Sequence, residues 1–143
     1  MASRNVEIFR QVHDCFNRRD FDGTMEALAD DPSYVEHPSG KTLRGKDQLR
    51  EFLQGWANAF SDGGVIDAHY LDAGDTVISQ FTFEGTNDGA FAGMPATGKR
   101  VSVPICEIAH YDSHGRVVSA CVYYDAMTIC TQLGIIKPLA SAA

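Results

Sequence analysis

Hydrophobic positions mark out the N-terminal third of the chain as helical. Val6, Phe9, Val12 and Phe16 recur at spacings of three and four, which predicts one amphipathic helix over about residues 5–18. The polar run "RRDFDG" interrupts it. Phe21, Met25 and Leu28 continue as a second short helix that stops before Pro32. Helices this short are marginal alone, so both must pack on something larger. "SYVEHPSG" predicts a brief extended segment, broken by Pro38 and Gly40. Leu49, Phe52, Leu53, Trp56 and Phe60 form the clearest helical stripe, which "SDGG" ends at 61–64.

After Gly64 the period changes from 3.6 to 2. "VIDAHYL" predicts a strand closed by the turn "DAGD", and "TVISQFTFE" alternates through Val77, Ser79, Phe81 and Phe83. A Gly- and Pro-rich connection, "GTNDGAFAGMPATG", leads to the long strand "KRVSVPICEIAHY". Pro104 lies inside that strand and cannot donate a ladder hydrogen bond, which predicts a bulge or an edge there. "DSHG" makes a hairpin turn, "RVVSACVYY" returns, and "AMTICTQL" closes as a short helix with Gly134 suited to its C-cap. Helices first and antiparallel strands afterwards is the α+β pattern, with helices packed on one face of a curved sheet. Such a sheet encloses a cone with an apolar interior, a natural small-molecule pocket.

Length and charge narrow the classes. The 143 residues suit one domain over 1–143. A formal net charge of −7, with scattered basic residues, argues against a nucleic-acid partner. No apolar run approaches a membrane span, and "MASRNVEIFRQ" lacks the apolar block of a secretion signal, so the expected location is cytoplasmic. Cys15, Cys106, Cys121 and Cys130 match no zinc spacing and are expected to be reduced, small apolar residues.

"FTFEGTNDGAFAGMPATGKRVSVPICEIAHYDSHGRVV" and "YYDAMTICTQLG" resemble the SnoaL-like polyketide cyclases, also called ester cyclases. The resemblance lies in Gly85-Thr86, the lip from Gly89 to Gly98, and Asp125 followed by Gln132-Leu133-Gly134. "YVEHPSGKTLRGKDQLREFLQGWANAF" looks like the family's earlier half, with His37 after an acidic residue. The resemblance implies a cone-shaped barrel of curved, mainly antiparallel sheet wrapped around N-terminal helices, as in nuclear transport factor 2 and ketosteroid isomerase. It also implies a homodimer, a polyketide-like or aromatic substrate, and aldol-type ring closure with no metal and no cofactor. By motif position the acid–base residue would be Asp125.

Each candidate residue also has a plainer reading. Asp125 just before a helix is a favoured N-cap, and a cap's hydrogen bonds oppose the proton affinity that a base needs. Cys121 and Tyr123 share its parity, so they would line the same face. Tyr123 is then a wall residue or a hydroxyl donor to an enolate oxygen. Glu107 either faces solvent or faces inward as a second carboxyl, and a bulge at Pro104 would shift its parity. His37 is a hydrogen-bonded loop histidine or a donor to a substrate carbonyl. Trp56, Phe60, Phe81 and Tyr34 are core or substrate wall, and Phe91 and Met94 would fold over a ligand from the lip. A metal site from His37, Glu36, Glu107 and Asp125 has no supporting ligand spacing. An epoxide-opening site would need an Arg between two carboxyls, and no such set is evident in the sequence. A small-molecule-binding protein without catalysis is the remaining alternative.

Overall fold

A computed structural model describes residues 2–138. Helix α1 (Arg4–Asn17) is capped by Ser3, whose side chain accepts from the Val6 N–H at 3.2 Å. Its buried face is Val6, Phe9, His13, Cys15 and Phe16. Helix α2 (Phe21–Glu26) is shorter than the apolar spacing suggests, because Leu28 already belongs to strand β1 (Leu28–Glu36). Strand β2 (Lys41–Arg44) pairs back on β1 and leads into α3 (Gly45–Ala59). Strands β3 (Gly64–Ala73), β4 (Thr76–Thr86), β5 (Arg100–Tyr111) and β6 (Val117–Tyr124) follow, and α4 (Ala126–Gln132) comes last.

The six strands form one sheet in the order β2-β1-β6-β5-β4-β3, antiparallel except for the β1–β6 pair. The sheet curves without closing, so the expected α+β cone is present with two free edges. Phe9 and Phe16 of α1, Leu49 of α3, Phe81 and Phe83 of β4, and Val103 and Ile105 of β5 belong to the core between helices and sheet.

Pro104 sits where the edge reading places it. Its β4 partner is Thr82, while the ladder to β6 begins only at Ile105. Residues 100–104 therefore have a strand on one side alone, and a missing N–H breaks no ladder bond on the other. The Gln132 side chain covers part of this edge. Its Oε1 accepts from the Ser102 N–H at 2.7 Å, and its Nε2 donates to the Ser102 carbonyl at 2.9 Å. Leu133 beside it is buried, and Gly134 supplies a positive φ of 75° at the helix end.

Two polar side chains hold the loops around the cone. Arg19 donates to the carbonyls of Phe16, Phe60, Ser61 and Gly63 at 2.8–3.1 Å, tying the α1–α2 turn to the end of α3. Asn87 is fully buried; its Nδ2 donates to the carbonyls of Ala59 and Gly89, and its Oδ1 accepts from the Thr97 N–H and hydroxyl. At Gly89 a Cβ would meet the Asn58 carbonyl oxygen at 2.0 Å, so the lip can approach α3 this closely only with glycine. The Gly-Thr-Asn and Gln-Leu-Gly signatures thus have structural work to do in the lip and at the sheet edge.

Candidate functional site

Inward positions on β5 are Val101, Val103, Ile105, Glu107, Ala109 and Tyr111, with Cys106, Ile108 and His110 on the other face. Register carries that parity to β6, where Ile105 pairs with Tyr124, Glu107 with Val122 and Ala109 with Ala120. From Ile105 to Tyr111 the inward residues, with Ala120, Val122 and Tyr124, line a cavity of about 130 Å³ together with α1, α3 and β4, its walls including Phe9, Phe52, Trp56 and Phe81.

Glu107 is the carboxylate in this cavity. Tyr34 of β1 donates its hydroxyl to Glu107 Oε2 at 2.5 Å. His13 Nε2 lies 3.4 Å from Oε1, and His13 Nδ1 lies 2.7 Å from the Tyr70 hydroxyl. One proton arrangement satisfies the set: Tyr70 donates to Nδ1, Nε2–H donates to Glu107, and Tyr34 donates to the other carboxylate oxygen. The His13 ring is held edge-on by Phe9 and Phe81, at centroid distances of 4.9 and 4.6 Å. Burial, with Glu107 adding to it, pushes the Tyr34 phenol well above the ordinary tyrosine range, and burial pushes Tyr70 up to about 12. Both remain proton donors at neutral pH.

A second carboxylate, Glu36, is 4% exposed and accepts from the hydroxyls of Tyr124 and Ser39. It lines a wider groove of about 860 Å³ next to the cavity, together with Lys41, Glu51, Phe91 and Ile129. Phe52, Trp56 and Tyr124 belong to both walls and stand between the two spaces.

Several sequence candidates lie elsewhere. Asp125 is exposed and absent from both walls; its carboxylate accepts from the Met127 N–H at 3.0 Å and the Thr128 hydroxyl at 2.9 Å. Cys121 and Tyr123 do share its parity, but that face is the outer one, because their partners Ile108 and Cys106 point away from Glu107. Tyr124, of the opposite parity to Tyr123, lines the cavity instead. His37 is exposed and stacks on Tyr123 at 4.2 Å. Tyr34, Trp56 and Phe81 line the cavity as expected of wall residues, whereas Phe60 is fully buried behind Trp56, 5.9 Å centroid to centroid. Phe91 packs on Trp56 and lines the groove, and Met94 is exposed on the lip. His37, Glu36, Glu107 and Asp125 are not gathered into a metal-holding group. Arg100 does lie between Asp62 and Glu84, at 3.7 and 3.2 Å, but on the exposed surface.

Around Glu107, His13 and Tyr70 are polar residues that sequence reasoning missed, as it did Tyr111 and Tyr124 on the cavity wall. His13 stands four positions after Phe9 and three before Phe16, so the helical stripe already contained it. Tyr70 carries no comparable local signal; it reaches the set because β3 aligns it with Ser79, which pairs with Glu107.

A family model described as SnoaL-like polyketide cyclase matches residues 6–133. Among solved structures, a candidate SnoaL-like polyketide cyclase from Jannaschia sp. CCS1 aligns at TM-score 0.85 and 23% identity, over 97% of this chain and 99% of that one. IdmH, a candidate polyketide cyclase from Streptomyces antibioticus, aligns at TM-score 0.80 and 20% identity, over 92% and 99%. AclR, a candidate hydroxylase from Streptomyces galilaeus, aligns at TM-score 0.82 and 20% identity, over 95% and 84%. At these identities the likeness is one of fold. No curated protein matches the chain.

Proposed function

The chain belongs to the SnoaL-like polyketide cyclase family, and from that premise we propose that it is an acid–base catalyst for a flat, polyketide-like carbonyl compound, with Glu107 as its base. One observation carries the reading: Glu107 presents a carboxylate inside an apolar cavity, with Oε2 fixed by Tyr34 and Oε1 met by His13 at 3.4 Å. Oε1, held by the longer and weaker of the two contacts, is the oxygen that takes the proton in this reading.

In the proposed step, a C–H bond beside a carbonyl breaks, the proton passes to Glu107 Oε1, and the electron pair moves onto the carbonyl oxygen as an enolate. The enolate carbon attacks a second carbonyl of the same molecule and forms a C–C bond. The resulting alkoxide takes the proton back from Glu107, so the enzyme ends unchanged. Tyr34 and His13 position the carboxylate, and Tyr70 fixes the His13 tautomer. Asp125 has no part in this scheme beyond capping α4.

The test is Glu107→Gln, which keeps the side-chain shape and removes the base. Turnover on a panel of β-dicarbonyl aromatic esters is expected to fall by about 10²–10⁴. Full turnover in the variant sinks the proposal.

A further inference from the structure

The fold leaves one polar atom of the inner cavity without a partner. Tyr111 is 5% exposed and lines the cavity, and its hydroxyl meets no donor or acceptor among the described residues. The other cavity tyrosines are committed, Tyr34 to Glu107 and Tyr124 to Glu36. Burying a hydroxyl without a partner costs free energy, so a position that keeps one needs an explanation. A ligand held in the cavity that Tyr111 lines would supply the missing partner.

The space beside Tyr111 has a definite shape. Glu107, Ala109 and Tyr111 share the inward face of β5, and Ala109 pairs with Ala120 of β6. That pair carries nothing larger than a methyl, with Val77 of β4 and Tyr34 of β1 on either side, so it is a shallow floor with the carboxylate at one end and the phenol at the other. A 130 Å³ cavity compares with the apolar cavities, on the order of 150 Å³, that take up a benzene ring. It admits one ring with small substituents, and anything longer must continue past Phe52, Trp56 and Tyr124 into the groove.

We propose that Tyr111 binds the substrate's carbonyl oxygen, and that the inner cavity selects an aryl ketone whose single ring lies over Ala109 and Ala120 with its acidic carbon towards Glu107. This rests on the reading of the inner cavity as the reaction chamber. Tyr111 donates to the ketone in the ground state and more strongly to the enolate oxygen as charge develops there. Burial raises the Tyr111 phenol, with Glu107 adding to it, so the hydroxyl keeps its proton at neutral pH.

The test uses an isosteric pair, acetophenone and α-methylstyrene, which have the same number of non-hydrogen atoms and differ in C=O against C=CH₂. Each is titrated into the full chain by NMR. The wild type is expected to bind acetophenone about tenfold more tightly than α-methylstyrene, the effect of one hydrogen bond to a buried donor. In Tyr111→Phe that preference disappears, because the ketone's attraction to water is no longer matched in the cavity. The melting temperature of the variant is expected not to fall, since the substitution removes an unpartnered buried hydroxyl. Equal binding of the two probes to wild type, or a preference that persists in Tyr111→Phe, overturns the role of Tyr111 and leaves the cavity reading intact. Failure of both probes to bind wild type overturns the role and the cavity reading together. The wild-type comparison stands whether or not the variant folds.

Discussion

Replacing Asp125 by Ala is expected to cost about 1 kcal/mol of stability and to leave the chemistry of the inner cavity untouched. The carboxylate accepts from the Met127 N–H through Oδ1 and from the Thr128 hydroxyl through Oδ2. Alanine removes both acceptors at the start of a helix of 7 residues, too short to stand alone. Water reaches the freed groups because Asp125 is exposed, which keeps the loss near the middle of the range for lost caps. Ile129 and Leu133, 1% and 2% exposed, still hold α4 against the core, so the helix frays at its start rather than detaching. For a chain of 143 residues the unfolding entropy is about 0.3 kcal/mol/K, so 1 kcal/mol corresponds to a fall of about 3 °C in Tm. Asn caps as well as Asp, so Asp125→Asn is expected to stay within a few tenths of a kcal/mol of wild type. Circular-dichroism melts of the three proteins, with acetophenone binding measured alongside, form the assay. An unchanged Tm in Asp125→Ala with binding or turnover lost would refute the assignment of Asp125 to the cap alone.

Arg19→Ala removes a guanidinium that donates to four backbone carbonyls, and it leaves an L-residue at a φ of 62°. Urea unfolding is expected to show a loss of about 2–3 kcal/mol, only partly recovered by Arg19→Lys, whose ammonium lacks the planar fork; a loss below about 0.5 kcal/mol, the size of an ordinary surface substitution, contradicts this. Burial raises the phenols of Tyr34, Tyr70, Tyr111 and Tyr124, with Tyr70 at about 12, while unfolded tyrosines ionise near 10. Their contribution to stability is therefore complete below about pH 10 and is lost as pH rises from there through the folded values. Melting temperatures should fall above about pH 10, with phenolate absorbance appearing together with unfolding; four phenols ionising near pH 10 in a still-folded protein would contradict the burial argument.

The helices α1 and α3 and the strands β4, β5 and β6 were legible because their apolar residues keep one period for long enough. Strand β1 was not. Its "LADDPSYVE" carries Asp30, Asp31 and Pro32, poor strand formers, and it extends because β6 offers a parallel ladder and the Val117 N–H reaches the Ala27 carbonyl. At the site, relative parity could be read and absolute facing could not. Cys121, Tyr123 and Asp125 do share a face, yet only the β5–β6 register decides that Val122 and Tyr124 are the inward residues. The contact between Tyr34 and Glu107 joins residues 73 apart in the chain, and no local pattern encodes such a pairing. Glu107 and Tyr111 lie four apart on one strand, so their shared facing was available from the sequence once either was placed.

The most direct test of Glu107 as the base is deuterium exchange into the methyl group of acetophenone in D₂O, followed by proton NMR with wild type, Glu107→Gln and Asp125→Asn. The methyl proton must leave as an enolate forms, so the exchange isolates the proposed first step from any later bond formation. Wild type and Asp125→Asn are predicted to accelerate exchange over buffer, and Glu107→Gln is predicted not to. Acceleration that survives in Glu107→Gln and vanishes in Asp125→Asn, or no acceleration by wild type, would contradict the account.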